Sequence, residues 1–368
     1  MILDEPTAVL TPQESEALYE IMKRMTQEKH SIIFITHKMK EVMALSDRIT
    51  VLSRGKVMST LYKEDTNPEQ LAELMIGNLD INDSVKANEF LKGAILEEKN
   101  KERYISKIKR TNNLTLSLKN ICASNDLGHP ALKGISFELH AGEILGMAGV
   151  SGNGQPELTD VLSGLRPMTS GEYFFEGELL EDPTVNEMID RGVGYIPEDR
   201  KKYGVSGGMS IAYNFLLRDF KNSNFCKRQI LNMYNIFEYS KKKMKEFDIR
   251  ANSEKIPVGV LSGGNMQKVI LAREISRPLK LLLASQPTRG LDIHATSFIR
   301  EQICNARDGG LAVLWISEDL DELLAVSDRI AVIFEGRIID IISREESSVE
   351  EIGRLMIGMK EKVLENSI

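Results

Sequence analysis

The sequence predicts an α/β fold, present once whole and once in part. Three observations carry this expectation. Short apolar runs of strand length alternate with segments of helical character. One such run leads into a glycine-rich loop that opens a helix, GVSGNGQPEL from Gly149. Three blocks of sequence also recur, ungapped, at a constant spacing of 281 residues.

The repeat sets the organisation. DEPTAVLTPQ from Asp4 matches SQPTRGLDIH from Ser285, and KEVMALSDRITVLSRGKV from Lys40 matches DELLAVSDRIAVIFEGRI from Asp321. LMIG at Leu74 recurs at Leu355. Residues 1–79 therefore read as the tail of a first copy, 80–113 as a charge-rich linker with some helical character, and 114–368 as a complete second copy. The complete copy reaches SQPT about 170 residues after Leu116, whereas the partial copy reaches DEPT at residue 4. Residues 1–3 read as the end of an apolar strand. The expectation is a chain that starts inside its first domain, with that domain's front missing.

Within the second copy, residues 131–145 alternate as strands around the His140-Ala141-Gly142 turn. The glycine loop follows. Residues 209–247 read as mainly helical, broken near Asn222-Ser223-Asn224, and LSGGN is followed by a helix over about 266–276. LLLAS at 281–285 and LAVLWIS at 311–317 read as short buried strands separated by a helix.

Composition narrows the function classes. A net charge of -7 argues against a general nucleic-acid binder, which needs a basic face; Lys241-Lys242-Lys243 reads as a solvated helix face. Cys122, Cys226 and Cys304 lack the spacing of a disulfide framework or zinc site and suit a reducing compartment. No apolar run approaches the roughly 20 residues of a membrane span, and no signal peptide is evident. Any membrane role has to come through partner subunits.

Four motifs carry chemistry. Asp4 and Glu5 end an apolar strand, where an α/β sheet presents residues to ligand. The pair fits a polar turn, or an Asp that holds Mg2+ with a Glu that activates water. His37 follows the apolar run 31–35 and reads either as a turn histidine or as a phosphate contact. Gly149, Gly152 and Gly154 match the glycines of a phosphate-cradling GxxGxGK[ST] loop, but Gln155 stands where its lysine belongs and Pro156 where its hydroxyl belongs. Losing charge-assisted contacts costs about 1.5–3 kcal/mol each, so phosphate binding should be weak. Leu261, Ser262, Gly263, Gly264 and Asn265 precede a helix and offer a second anion-binding start, or a flexible turn.

Together these residues resemble the ATP-binding-cassette family over nearly the whole chain. ILDEPTAVLTPQES, GVSGNGQPEL, GYIPEDRKKYG, QPTRGLD and ISEDLDELLAVSDRI look like the tandem-cassette ATPases of sugar importers, with the nucleoside-import branch nearest. The resemblance implies a P-loop NTPase-like cassette, with a parallel sheet core, an antiparallel β subdomain and a helical subdomain. It implies ATP and Mg2+ as ligands, Asp4 at the metal, and Glu5 and His37 as catalytic residues. It also implies head-to-tail cassettes, with these residues and Leu261 to Asn265 serving one composite site. The other site is degenerate: the repeat pairs Asp4 with Ser285, Glu5 with Gln286 and His37 with Glu318, and Glu198 of PEDR stands where many cassettes carry a glutamine.

The implied function is the energising subunit of a bacterial nucleoside or sugar importer, inactive alone. Its implied partners are membrane permease subunits, an extracytoplasmic solute-binding protein through the complex, and the missing N-terminal cassette half, with no nucleic acid. The implied location is the cytoplasmic face of the membrane. Two alternatives stand beside it: a non-catalytic half that complements a separately encoded cassette, and a soluble tandem-cassette translation factor.

Overall fold

A computed structural model describes residues 1–7, 10, 12–36, 38–53, 55–68, 70, 71, 74, 104 and 113–359. His37, the linker apart from Tyr104 and Asn113, and most of the first LMIG block lie outside these residues. Packing divides the chain into two units, Met1–Tyr104 with Asp292–Ser297, and Ile105–Leu291 with Phe298–Ile368.

In the first unit, β1 (Ile2–Asp4) runs into α1 (Pro12–Gln27), which returns the chain to β2 (Ile33–Ile35). The two strands pair in parallel, Asp4 opposite Ile35. Helix α2 (Met39–Leu45) then leads to the antiparallel hairpin of β3 (Arg48–Ser53) and β4 (Lys56–Tyr62). A small core of Ile49, Val51 and Leu71 is covered by Met39, Val42, Met43, Leu61 and Leu74. Ile2 and Ile33 stay 69% and 59% exposed, so the β1–β2 pair carries apolar surface that its own unit does not cover.

The second unit opens with β5 (Leu114–Ser124), β6 (Pro130–His140) and β7 (Ile144–Ala148), then α3 (Gln155–Leu162). β8 (Ser170–Phe175), β9 (Glu178–Leu180), α4 (Val185–Asp190) and β10 (Val193–Ile196) follow. Next come α5 (Ile211–Leu216), β11 (Cys226–Lys227), β12 (Ile230–Leu231), α6 (Met233–Glu246) and α7 (Gly263–Ile275). β13 (Leu281–Ser285), α8 (Ile293–Asp308, which belongs to this unit from Phe298 on), β14 (Ala312–Ser317), α9 (Leu320–Val326), β15 (Arg329–Phe334), β16 (Arg337–Ser343) and α10 (Val349–Met356) complete it.

Six strands form one sheet in the order β10-β13-β14-β7-β15-β16, parallel except for β16. Every residue of β7, β13 and β14 is buried, which accounts for their continuous apolar sequences. An antiparallel sheet, β6-β5-β8-β9, shares a core with it through Leu116, Ile121, Ile135, Leu139, Tyr173 and Phe175. Helices α5 and α6 pack around a separate cluster in which Phe225 meets Tyr239 edge-on at 5.0 Å between centroids. The α/β class is therefore as the sequence predicts, and the antiparallel and helical parts are as the resemblance implies.

Two local expectations are corrected. The helix after LSGGN begins at Gly263 rather than near residue 266, because the Ser262 hydroxyl accepts from Asn265 N and caps it. The segment read as mainly helical also contains the β11–β12 hairpin, whose two-residue strands are too short to leave a periodic signal.

The repeat holds element by element. α1 and α8, α2 and α9, β3 and β15, and β4 and β16 are each displaced by 281 residues at both ends. Even the β-bulge between Val51 and Leu52 recurs between Val332 and Ile333.

Candidate functional site

The strand ends of each unit are held by a buried glutamate that reading the sequence did not find. In the first unit Glu41, 5% exposed on α2, accepts from the Thr7 hydroxyl at 2.6 Å and from the Thr36 hydroxyl at 2.8 Å. Thr36 Oγ1 in turn accepts from Lys38 N at 3.1 Å. Burial, reinforced by the Glu41 carboxylate, pushes the Tyr19 hydroxyl up to about 12. One carboxylate thus ties the loops after β1 and β2 together.

The second unit repeats the device 281 residues on. Glu322, 2% exposed on α9, accepts from the Thr288 hydroxyl, from Ser317 Oγ at 2.6 Å and from Arg300 Nε at 3.5 Å. Ser317 Oγ accepts from Asp319 N at 3.1 Å. Arg300 stands at the repeat position of Tyr19, so a guanidinium replaces a phenol at the same hub. The available signal was the recurrence of Glu, Thr and a hydroxyl residue at the repeat spacing, which a reading confined to reactive motifs passes over.

The same frame presents different chemistry in the two copies. Glu5 has φ 43 and donates its N–H to Ile35 O at 2.9 Å; Gln286 has φ 48 and donates to Ile316 O at 2.8 Å. A non-glycine residue in this region carries backbone strain, here kept at the same turn twice. In the first copy the turn displays exposed Asp4 and half-buried Glu5. In the second, Ser285 and Gln286 fill those places and are 6% and 9% exposed. Among the described residues no cluster of three or more His, Cys, Asp or Glu could hold a metal. A Mg2+ at Asp4 would depend on water and phosphate oxygens for its other ligands.

The glycine loop lies between β7 and α3. Gly154 caps α3 with φ 103, and a Cβ there would lie 3.1 Å from Ala131 O, so a side chain is refused on both counts. Gly149 is required differently: a Cβ would meet the Gln155 amide at 2.6 Å. Gln155 is 6% exposed and folds back over the loop, donating from Nε2 to Val150 O at 3.1 Å. Asn153 also donates to Val150 O, at 3.0 Å, and accepts from Glu335 N at 2.7 Å. Because Ser317 is in register with Ala148, Glu318 arrives beside the loop, where Ser151 Oγ donates to its Oε1 at 2.5 Å.

The donors of this loop fit a magnesium nucleotide poorly. Residue 155 is a neutral amide, residue 156 has no hydroxyl, and a carboxylate engages the loop serine. The loop joins a strand to a helix, and Gln155 and Pro156 open that helix.

LSGGN sits at the start of α7. Asn265 Nδ2 donates to Ser262 Oγ at 3.0 Å, and Asn265 Oδ1 accepts from Arg250 N at 2.8 Å, which fixes the turn from both sides. Ser262 is exposed, while residues from Met266 to Glu274 are buried. Leu261, Gly263 and Gly264 are half-buried in the same turn. In PEDR, Asp199 Oδ1 accepts from Lys201 N and Lys202 N at 3.0 Å, and Glu198 is salt-bridged to Arg289. Arg200 donates to Gly263 O at 3.3 Å and to Arg289 O, and burial pushes its guanidinium down.

Comparison with known proteins identifies the family and the fold. The ABC transporter family model matches residues 132–289. The glucose import ATP-binding protein TsgD13 of Haloferax volcanii is 40% identical over 360 residues, 97% of this chain and 62% of that protein. The nucleoside import ATP-binding protein NupA of Lactococcus lactis is 40% identical over 358 residues, 97% of this chain and 67% of that protein. The guanosine import ATP-binding protein NupO of Bacillus subtilis is 38% identical over 362 residues, covering 98% and 67%. The chain thus spans 62–67% of the length of these relatives.

Among solved structures, an ATP-binding cassette of an ABC transporter in its ADP conformation superposes with a TM-score of 0.51 at 22% identity, covering 66% of this chain and 95% of that one. A dimeric cassette in a post-hydrolysis state with ADP and Pi gives 0.54 at 20%, covering 62% and 98%. These two establish the fold. With the curated relatives, which match almost the whole sequence, they show that the chain belongs to the ABC transporter family of ATP-binding proteins.

Proposed function

We propose that the chain is the ATP-binding subunit that energises import of nucleosides or simple sugars, one copy of its frame equipped for hydrolysis and the other not. The observation that carries this is the duplicated strand-end hub, which presents Asp4 and Glu5 in one copy and Ser285 and Gln286 in the other. In the equipped copy Asp4 would hold Mg2+, which supplies charge neutralisation for phosphoryl transfer, and Glu5 would accept a proton from the attacking water. His37 is the proposed phosphate contact, and Leu261 to Asn265 the proposed signature turn.

Hydrolysis also needs a lysine-bearing phosphate loop, and the sequence contains no GxxGxGK[ST] segment. The chain alone is therefore proposed to be inactive unless such a loop is supplied to it. The relatives are named import ATP-binding proteins; membrane permease subunits and a solute-binding protein are the proposed partners, with the chain peripheral at the cytoplasmic face of the membrane. No helix among the described residues is long and apolar enough to cross a membrane.

Complementation tests the reading. Adding a separate cassette whose sequence carries a GxxGxGK[ST] loop is expected to yield ATP turnover that Glu5→Gln lowers by about 10²–10⁴-fold. Turnover indifferent to Glu5 counts against the assignment.

A further inference from the structure

Two buried oxygens at the glycine loop are left over once its hydrogen bonds are assigned. Gln155 Oε1 and Glu318 Oε2 are both shielded from solvent and lack a hydrogen-bond partner. Both belong to side chains that touch the loop directly, Gln155 through Val150 O and Glu318 through Ser151 Oγ at 2.5 Å. A buried acceptor without a donor is costly, so the arrangement asks what the carboxylate does there.

The backbone explains how it gets there. β14 and β7 are neighbours in register, Ser317 opposite Ala148, so the residues after each strand emerge side by side at one sheet end. Position 318 thus faces whatever sits on the loop. In the other copy the repeat places a histidine there, a residue that can donate a hydrogen bond to a phosphate; here it is an acid, which can only repel one when ionised. Residue 155, the adjacent position that would offer a cation, is neutral and turned back onto Val150.

We propose that Glu318 is a specificity-determining residue that makes this loop discriminate against a nucleoside triphosphate. Its carboxylate, hydrogen-bonded to Ser151, occupies the loop with a fixed negative charge of the protein's own. A diphosphate can use the backbone donors at the start of α3, whereas a further phosphate group brings more negative charge toward Glu318. The inference deepens the reading of the second copy as degenerate and rests on it: the loop is biased by charge as well as lacking its cation.

The experiment measures binding of fluorescent ATP and ADP analogues to the full chain, wild type against Glu318→Gln and Glu318→Ala, with circular dichroism to confirm folding. Glu318→Gln keeps an acceptor for Ser151 and removes the charge. It is expected to tighten the ATP analogue about 10-fold and the ADP analogue at most about 3-fold, with Glu318→Ala matching it for ATP. Wild-type binding of ATP that neither substitution changes, or an equal gain for ADP, overturns the proposal and leaves the cassette reading intact. No binding of either nucleotide by any of these chains, nor by Gln155→Lys combined with Glu318→Gln, overturns the proposal together with the reading of this loop as a nucleotide site.

Discussion

Replacing Glu322 by alanine should destabilise the second unit more than any exposed substitution. The carboxylate is 2% exposed and accepts from Thr288, Ser317 and Arg300, the last itself only 7% exposed. Truncation takes the Glu322 carboxylate away from the buried Arg300 guanidinium and a charged acceptor away from two hydroxyls. Breaking a buried pair by removing one member costs about 3–5 kcal/mol. For a unit of this size that lowers the melting temperature by about 10 °C. Glu322→Gln keeps an acceptor and should cost about 1–2 kcal/mol.

The chain has a single tryptophan, Trp315, fully buried on β14 two residues before Ser317, so its fluorescence reports unfolding of this unit in urea. Arg300→Met should recover at least about 1 kcal/mol of the loss in a double-mutant cycle. A cost below about 1 kcal/mol for Glu322→Ala, or strict additivity with Arg300→Met, would refute the hub.

Three further outcomes are expected. Gly336→Ala should cost about 2 kcal/mol or more by urea denaturation, since its Cβ would fall 2.0 Å from Ala131 O at φ +77. Burial raises the Asp328 carboxyl above its ordinary range, with the Ile144 N–H and Arg307 opposing. The native state therefore binds that proton before the unfolded state does, and stability is gained as pH falls through the raised value toward the ordinary carboxylate range. Comparing pH-dependent melts, Asp328→Asn should remove that gain. Burial also pushes the Cys304 thiol up to about 12, so a disulfide reagent at pH 8 should spare it in the native chain while reaching half-buried Cys122 and Cys226.

Much of this architecture was legible because the chain carries its own comparison. The repeat spacing sets Asp4 against Ser285 in the sequence itself, and the helices and hairpins obey the same spacing. The loop glycines were legible because only glycine tolerates the Gly154 backbone and the contact at Gly149. Glu41 and Glu322 were not, since a glutamate in a short helix reads as solvated and only tertiary packing buries it. The start of α7 was missed by three residues because two glycines oppose helix by propensity, and the Ser262 cap outweighs them. The Glu318–Ser151 contact depends on the β14–β7 register, which no local pattern encodes.

The most direct test of the proposal that the chain alone turns over no ATP is a turnover assay on the purified chain, beside otherwise identical Glu5→Gln and Gln286→Glu chains. The expected result is the same background rate for all three, because this sequence contains no lysine-bearing GxxGxGK[ST] loop. A wild-type rate that falls in Glu5→Gln would contradict it.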